Sequence, residues 1–83
     1  MARGKVRYWA GAKAAAGVAE EPFEAGNLAE LMAQITAGRD ELARVVQRSS
    51  FLIDGSPVGM RDHELVELSD GVTVEVLPPF AGG

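Results

Sequence analysis

The clearest element of the sequence is the segment NLAELMAQI at residues 27–35. Four apolar residues in it follow the spacing i, i+3, i+4 and i+7, namely Leu28, Leu31, Met32 and Ile35. This spacing is typical of a helix that buries one face. Asn27 suits the N-cap position, and Glu30 follows three residues later, as in a capping box. Gly38 comes after the last periodic residue and is expected to end the helix.

The residues before this helix predict two strands and a short helical turn. Residues 5–10 alternate, which indicates a half-buried strand. One face of that strand is predicted to carry Val6, Tyr8 and Ala10, and the other Lys5, Arg7 and Trp9. The alanine-rich residues 12–16 can form one or two helical turns. Residues 18–25 are interpreted as a second strand, and because Pro22 has no N–H, that strand belongs at a sheet edge or a bulge.

The residues after the helix predict a second helix and further strands. The shorter helix is expected from Asp40 to Gln47, and a short strand at 51–53 is closed by the turn pair Asp54-Gly55. Residues 58–69 are expected to be irregular, or to include a short strand near 65–68. A last strand follows the turn at 70–71, with its alternating valines at positions 72, 74 and 76 facing inward.

This order of elements predicts an α+β roll, in which a mixed sheet covers one face of a main helix. The first and last strands are expected to lie side by side in the middle of the sheet. A single domain over residues 1–77 is predicted, followed by an extended tail at 78–83.

Composition limits the possible functions of these 83 residues. The sequence has no cysteine, which excludes disulfides, thiolate metal sites and a cysteine nucleophile. A net charge of −4 with scattered basic residues argues against nucleic acid as a partner. No apolar run is long enough to cross a bilayer or to act as a signal peptide, so we expect a soluble cytoplasmic protein. His63 stands alone among polar neighbours and is expected to be a solvated surface residue, not a metal ligand.

The sequence ends with PPFAGG, residues 78–83, and this segment suggests a function. Pro78 and Pro79 stop the last strand and stiffen an extended exit. Ala81, Gly82 and Gly83 carry almost no side chain, so such an end can thread a narrow channel in a partner enzyme. The alternative interpretation is an ordinary frayed end of small residues.

Four segments of the sequence resemble the ThiS/MoaD family of sulfur carriers. They are residues 6–17, the helix at 28–35, Phe51–Gly55 and residues 68–83, of which the last is the most specific. The resemblance implies a β-grasp, or ubiquitin-like, fold. Two positions depart from the family's usual pattern: Val72 follows the second Asp-Gly pair where an acidic residue is usual, and Lys13-Ala14 replaces a frequent Arg-Glu.

The resemblance also implies a mechanism centred on the carboxylate of Gly83. A ubiquitin-activating-type adenylyltransferase uses ATP to adenylate it, and sulfur from a persulfide donor then displaces AMP to leave a thiocarboxylate. The chain itself binds no cofactor and is a co-substrate rather than an enzyme. Its length and alanine-rich turn favour the members that act in molybdopterin synthesis, whose partner is the larger catalytic subunit of the synthase.

The residues expected to contact these partners lie around the tail. Phe80, Pro79, Trp9 and Leu77 are predicted to form a docking surface, with Ala81 and Gly82 giving access. An ordinary aromatic lying on a sheet surface is the alternative interpretation of Trp9. Three other functions stay open: a ThiS-like carrier for thiazole or another sulfur acceptor, a ubiquitin-like protein modifier, and a β-grasp interaction module with an inert tail.

Overall fold

The computed structural model describes residues 1–79, which form five strands and three α-helices. In chain order these are β1 (Ala2–Tyr8), α1 (Ala10–Ala16), β2 (Glu20–Ala25), α2 (Leu28–Thr36), α3 (Asp40–Arg48), β3 (Ser50–Ile53), β4 (Ser56–Pro57) and β5 (Thr73–Leu77). A single 3₁₀ turn at His63–Leu65 lies between β4 and β5.

The strands form one mixed sheet in the order β2-β1-β5-β3-β4. β1 runs parallel to β5 and antiparallel to β2, while β3 runs antiparallel to both β5 and β4. The first and last strands therefore lie side by side inside the sheet, which confirms the arrangement predicted from the order of elements. The strand that precedes the tail is also the central one.

The core lies between the inner face of the sheet and the helices. Val6, Val74 and Val76 have no exposed surface. Leu28 and Leu31 of α2 are also fully buried and belong to the same core cluster. Burial of each such side chain stabilises the fold by roughly 1.5–3 kcal/mol relative to an exposed one. The prediction of one buried face on α2 is confirmed.

The start of α2 is fixed by side-chain caps, as predicted. Asn27 Oδ1 accepts the N–H of Glu30 at 2.8 Å, so Asn27 is the N-cap. The Glu30 carboxylate accepts the N–H of Gly26 at 2.7 Å, one residue before the group that a standard capping box uses. The helix ends at Thr36, shortly before Gly38, which has a φ of 70°.

The end of β1 differs from the prediction. The strand stops at Tyr8, and Ala10 is exposed and begins α1 with a φ of 47° instead of lying beside Val6 on the inner face. Trp9 is the extended N-cap residue, and its carbonyl accepts the N–H of Ala12 at 2.9 Å. Alanine fits a strand and is the best helix former, so alternation alone could not locate this boundary.

Residues 58–69 are mostly irregular, which was one of the two structures predicted for them; the other was a short strand near 65–68. Beyond the 3₁₀ turn, Glu67 forms an isolated bridge with Asn27, and Val66 and Leu68 are buried. His63, predicted to be a solvated surface residue, is only partly exposed. Its ring is partly buried and packs edge-on against Phe51, with the ring centroids 5.2 Å apart.

Both edge strands of the sheet contain a proline. Pro22 lies in β2, at one edge, as its missing N–H predicted, and Pro57 lies in the two-residue strand β4 at the other edge. Proline cannot donate a ladder hydrogen bond, so each edge lacks one N–H donor. The sheet is therefore interrupted at both of its open sides.

An ion-paired cluster joins β1, β2 and the start of α3. The Tyr8 hydroxyl donates to the Glu21 carboxylate, which also accepts two hydrogen bonds from the Arg39 guanidinium at 2.7 and 3.2 Å. The Arg39 guanidinium lowers the pKa of Glu21 below its usual range. Burial raises the pKa of Tyr8, and the Glu21 carboxylate raises it further.

Replacing Glu21 with glutamine is expected to lower the free energy of unfolding by about 1–2 kcal/mol at neutral pH, because a charge-assisted, partly solvated contact is lost. Since the pKa of Glu21 is lower in the folded state, its contribution is present above the unfolded-state pKa and is lost as pH falls through the folded-state pKa. The difference between wild type and Glu21→Gln should therefore narrow in acid, as measured by urea unfolding at several pH values.

Glu24→Gln is the matched control, because Glu24 lies in the same strand but is exposed, and within residues 1–79 its carboxylate pairs only with the exposed Arg3. That variant should change stability by less than about 0.5 kcal/mol. If both variants lost the same free energy of unfolding, the Tyr8–Glu21–Arg39 cluster would contribute no more to stability than a surface ion pair.

Candidate functional site

The site is built around β5, which leads directly into the tail. Asp54 Oδ1 accepts the N–H of Thr73 at 3.0 Å, and Asp54 donates its own N–H to the Thr73 carbonyl at 2.9 Å. On the other side, Asp70 Oδ1 accepts the N–H of Arg3 at 2.9 Å. The two aspartates, which the sequence indicated only as turn residues, thus attach the start of β5 to both neighbouring strands.

The tail leaves the sheet at a well-anchored point. Leu77 is the last residue of β5 and lies opposite Ser50 of β3. Pro78 is half-buried and Pro79 is exposed. The predicted access and sulfur-carrying residues, Ala81, Gly82 and Gly83, and the predicted contact residue Phe80, lie outside the described residues.

Trp9 lies next to this exit point. Its side chain is 44% exposed, and its Nε1 donates to the Glu75 carboxylate at 3.0 Å. Its backbone N–H donates to the Val76 carbonyl at 3.2 Å. Because Tyr8 pairs with Val76, Trp9 is level with Leu77 on the outer face of the sheet, as the alternation predicted.

Two further residues complete this surface. Leu52 of β3 is paired with Glu75 of β5, and both are half-buried on the same outer face as Leu77. We call Trp9, Leu52, Glu75 and Leu77 the tail-base patch. Sequence reasoning missed Leu52 and Glu75, although each alternates with an inward-facing neighbour and could have been assigned outward on that ground.

The rest of the outer face is charged. Ion pairs join β1 to β2: Arg3 with Glu24 at 3.3 Å, and both Lys5 and Arg7 with Glu20, at 3.6 and 3.4 Å. Exposed pairs of this kind contribute little to stability. They border the tail-base patch on its β1–β2 side, so the apolar part of the outer face is concentrated where the tail begins. Such an arrangement suits docking of a partner protein.

The described part of the chain offers no other obvious chemistry near the tail. Among residues 1–79, no three histidine or acidic side chains are grouped so as to hold a metal ion. No helix in the same range is both long and apolar enough to cross a membrane. The shifted pKa values of Tyr8, Glu21 and Arg39 belong to the ion-paired cluster that joins β1, β2 and the start of α3.

Comparison with known proteins gives a consistent result. The sequence matches the ThiS family over residues 6–83. It is 38% identical over 82 residues to a protein named molybdopterin synthase sulfur carrier subunit from Chlamydomonas reinhardtii, covering 95% of this chain and 96% of that relative.

Two solved structures have the same fold. The small archaeal modifier protein 1 (SAMP1) of Methanosarcina acetivorans superposes with a TM-score of 0.86 at 24% identity, covering 100% of this chain and 98% of that one. Subunit 1 of the molybdopterin-converting factor of Helicobacter pylori, solved in a complex with subunit 2, gives a TM-score of 0.72 at 23% identity, with coverage of 98% and 99%. The chain therefore belongs to the ThiS family and has the β-grasp fold expected from its sequence.

Proposed function

We propose that this chain is the sulfur carrier subunit of a molybdopterin synthase and that it carries sulfur as a thiocarboxylate on Gly83. The proposal rests on one observation. Along nearly its whole length, the chain is 38% identical in sequence to a relative named for that role. The family match also continues through Gly82 and Gly83, so the proposed reactive end lies within the matched region.

The chemistry follows from the reactivity of a carboxylate, which is a poor electrophile. One oxygen of the Gly83 carboxylate attacks the α-phosphate of ATP, pyrophosphate leaves, and an acyl adenylate forms. The terminal sulfur of a persulfide then bonds to the acyl carbon and AMP leaves. A thiol reductant breaks the remaining sulfur–sulfur bond, which releases the thiocarboxylate. Its sulfur is nucleophilic at neutral pH and can be transferred to an acceptor.

The proposal divides the work between this chain and its partners. The adenylyltransferase binds ATP and performs the activation, and the larger subunit of the synthase holds the acceptor. This chain supplies a reactive end, a fixed starting point for the tail at Leu77–Pro79, and the tail-base patch for docking. It is accordingly a co-substrate and small subunit, with the catalytic groups on its partners.

Intact-mass measurement tests the proposal directly. The protein is incubated with a ubiquitin-activating-type adenylyltransferase, ATP, a persulfide donor and a thiol reductant. The expected product is heavier by the mass difference between sulfur and oxygen, and it should form only when all four are present. Lysine-linked conjugates without this shift would favour a protein modifier instead. Absence of any change with each available activating enzyme would contradict the carrier proposal.

A genetic experiment separates molybdopterin synthesis from other sulfur acceptors. Removal of the gene is expected to abolish molybdoenzyme activity, and the wild-type gene should restore it. Unchanged molybdoenzyme activity combined with a thiazole requirement would assign the chain to thiazole synthesis. In that case the proposed thiocarboxylate on Gly83 would be retained, but the sulfur acceptor would be different.

The tail-base patch is tested by replacing Leu77 with glutamate. Exchange of an apolar side chain of the patch for a second carboxylate should weaken binding to the larger synthase subunit at least about 30-fold, the range of an interface hot spot. Thr73→Glu is the matched control, because Thr73 lies on the same face of β5 at its opposite end. Calorimetric titration of both variants gives the comparison.

The folding of both variants is checked by thermal unfolding, and Leu77→Ala provides a milder change if the glutamate variant is unstable. Thr73→Glu is expected to bind within about threefold of wild type, as for a residue outside the interface. If the Thr73→Glu and Leu77→Glu variants lost similar amounts of binding affinity, a docking surface centred on the tail base would be contradicted.

A further inference from the structure

A concave surface that the proposed sulfur chemistry does not use lies at the β3–β4 side of the molecule. It is a groove of about 620 Å³, between β3, the middle of α2, the end of α3, and β4 with the segment that follows it. Its size falls within the range of about 300–1,000 Å³ that is common for binding sites in proteins. The groove is distinct from the tail-base patch in most of its lining, sharing only Leu52.

The lining of the groove is largely apolar. Met32, Val46 and Phe51 come from α2, α3 and β3, and His63 closes one side with its ring against Phe51. Met60 lies at the rim and is fully exposed to solvent. An unbranched thioether side chain adapts to different partner shapes, which is why exposed methionines are frequent at binding surfaces.

The lining of the groove contains no Asp, Glu, Lys or Arg, although the protein as a whole is acidic. The chain has 12 acidic residues and a net charge of −4, yet no carboxylate lines the groove. Asp62 and Glu64 belong to the neighbouring segment but are not among its lining residues. The groove is therefore an apolar surface without the negative charge that is abundant elsewhere on the chain.

Arg61 supplies a positive charge at this wall. Its Nε donates to the Val58 carbonyl at 3.0 Å, which holds the guanidinium beside Pro57, a lining residue. Arg61 is exposed and forms no ion pair with any residue in 1–79. A guanidinium has five N–H donors, so several are free to bind a carboxylate.

We infer that this groove binds a short segment of a partner protein that presents a large apolar side chain next to a carboxylate. The apolar side chain enters between Met32, Phe51 and Met60, and the carboxylate pairs with Arg61. Charge complementarity selects this occupant, because a basic segment would face Arg61 without any carboxylate in the lining. The groove gives a partner a second attachment point while the tail is engaged elsewhere.

The test uses the full chain labelled with ¹⁵N and two peptides, each acetylated and amidated at its ends. The probe is Glu-Leu-Phe-Glu and its matched control is Lys-Leu-Phe-Lys. The acidic peptide is expected to shift the backbone amides of residues 46–63 and to bind at least fivefold more tightly than the basic peptide. Added salt should reduce this preference, since the selecting contact is exposed.

Variants at the groove make the test specific. Arg61→Glu should abolish or reverse the preference for the acidic peptide, while Arg61→Lys should retain it. Met60→Ser should weaken binding of both peptides. Both changed positions, Arg61 and Met60, are exposed, and a dispersed amide spectrum shows that each variant is folded.

Several results would overturn the inference. Equal binding of the two peptides, or shifts confined to the tail-base patch, would remove the basis for an acidic occupant. Groove shifts that depend on protein concentration alone would assign the groove to a second copy of this chain. If the Phe80→Ala variant bound the peptide more tightly than wild type, the chain's own tail would be the natural occupant of the groove. None of these results bears on the mass shift that tests the carrier proposal.

Discussion

Deleting Gly83 is expected to lower the rate of thiocarboxylation at least about 100-fold, because a displacement of about 1 Å in a reacting group can have that effect. The variant still ends in a glycine carboxylate of unchanged intrinsic reactivity. What changes is its reach: the tail starts from the anchored strand β5, and each residue extends it by at most about 3.3–3.6 Å. The carboxylate therefore stops short of the adenylation site. Single-turnover kinetics followed by intact mass gives the rate.

Three further variants separate reach from the identity of the last residue. Deleting Ala81 shortens the tail equally but keeps the Gly82-Gly83 end, so it should show a similar loss if reach is decisive. Gly83→Ala keeps the length and adds one methyl group, which tests how narrow the partner's channel is. Ala81→Gly should leave the rate nearly unchanged. Full activity after deletion of Gly83 would contradict the proposed role of the tail.

Replacing Gly4 with alanine is expected to lower the free energy of unfolding by about 3 kcal/mol, the upper part of the range for overpacked sites. A Cβ atom at Gly4 would lie 2.3 Å from the Val72 carbonyl oxygen and 2.8 Å from its Cγ1. That oxygen cannot move freely, because it accepts the N–H of Lys5 at 3.0 Å. Relief of the clash must separate β1 from the start of β5.

Gly11→Ala is the matched control for Gly4→Ala. Gly11 lies in α1, and an added Cβ atom would meet no other atom within 4 Å. Alanine there should stabilise the protein by about 0.5–1 kcal/mol, because glycine is a poor helix former. Urea unfolding midpoints of the two variants should therefore shift in opposite directions. A Gly4→Ala protein as stable as wild type would show that β1 and β5 do not need this close approach.

The elements that sequence predicted well are those fixed by local patterns. The helical period and cap of α2 and the alternating valines of β5 are local, and both elements formed as predicted. β4 has only two residues and pairs with β3 across the Asp54-Gly55 turn, Ile53 with Ser56 and Leu52 with Pro57. The Asp-Gly pair indicated this turn, but two residues are too few to show the alternation that predicts a strand.

In the candidate site, too, some residues could be predicted from local patterns and others could not. Trp9 and Leu77 were predicted near each other because their strands were expected to be neighbours, and the structure places them level on one face. Leu52 was missed because its place beside Glu75 depends on the register between β3 and β5. The groove was missed altogether, since its walls come from segments far apart in sequence. The role of Gly83 stays a prediction.

The prolines in the two edge strands affect how a carrier of this kind passes from one protein partner to the next. In the proposed function, the reactive end visits an activating enzyme and an acceptor complex in turn, and each must release it. Long ladders of backbone hydrogen bonds along an exposed edge would favour slow exchange and self-polymerisation. Pro22 and Pro57 interrupt these ladders. Contact through side-chain surfaces instead allows quick turnover of complexes, and the protein can accumulate without its sheets joining into fibres.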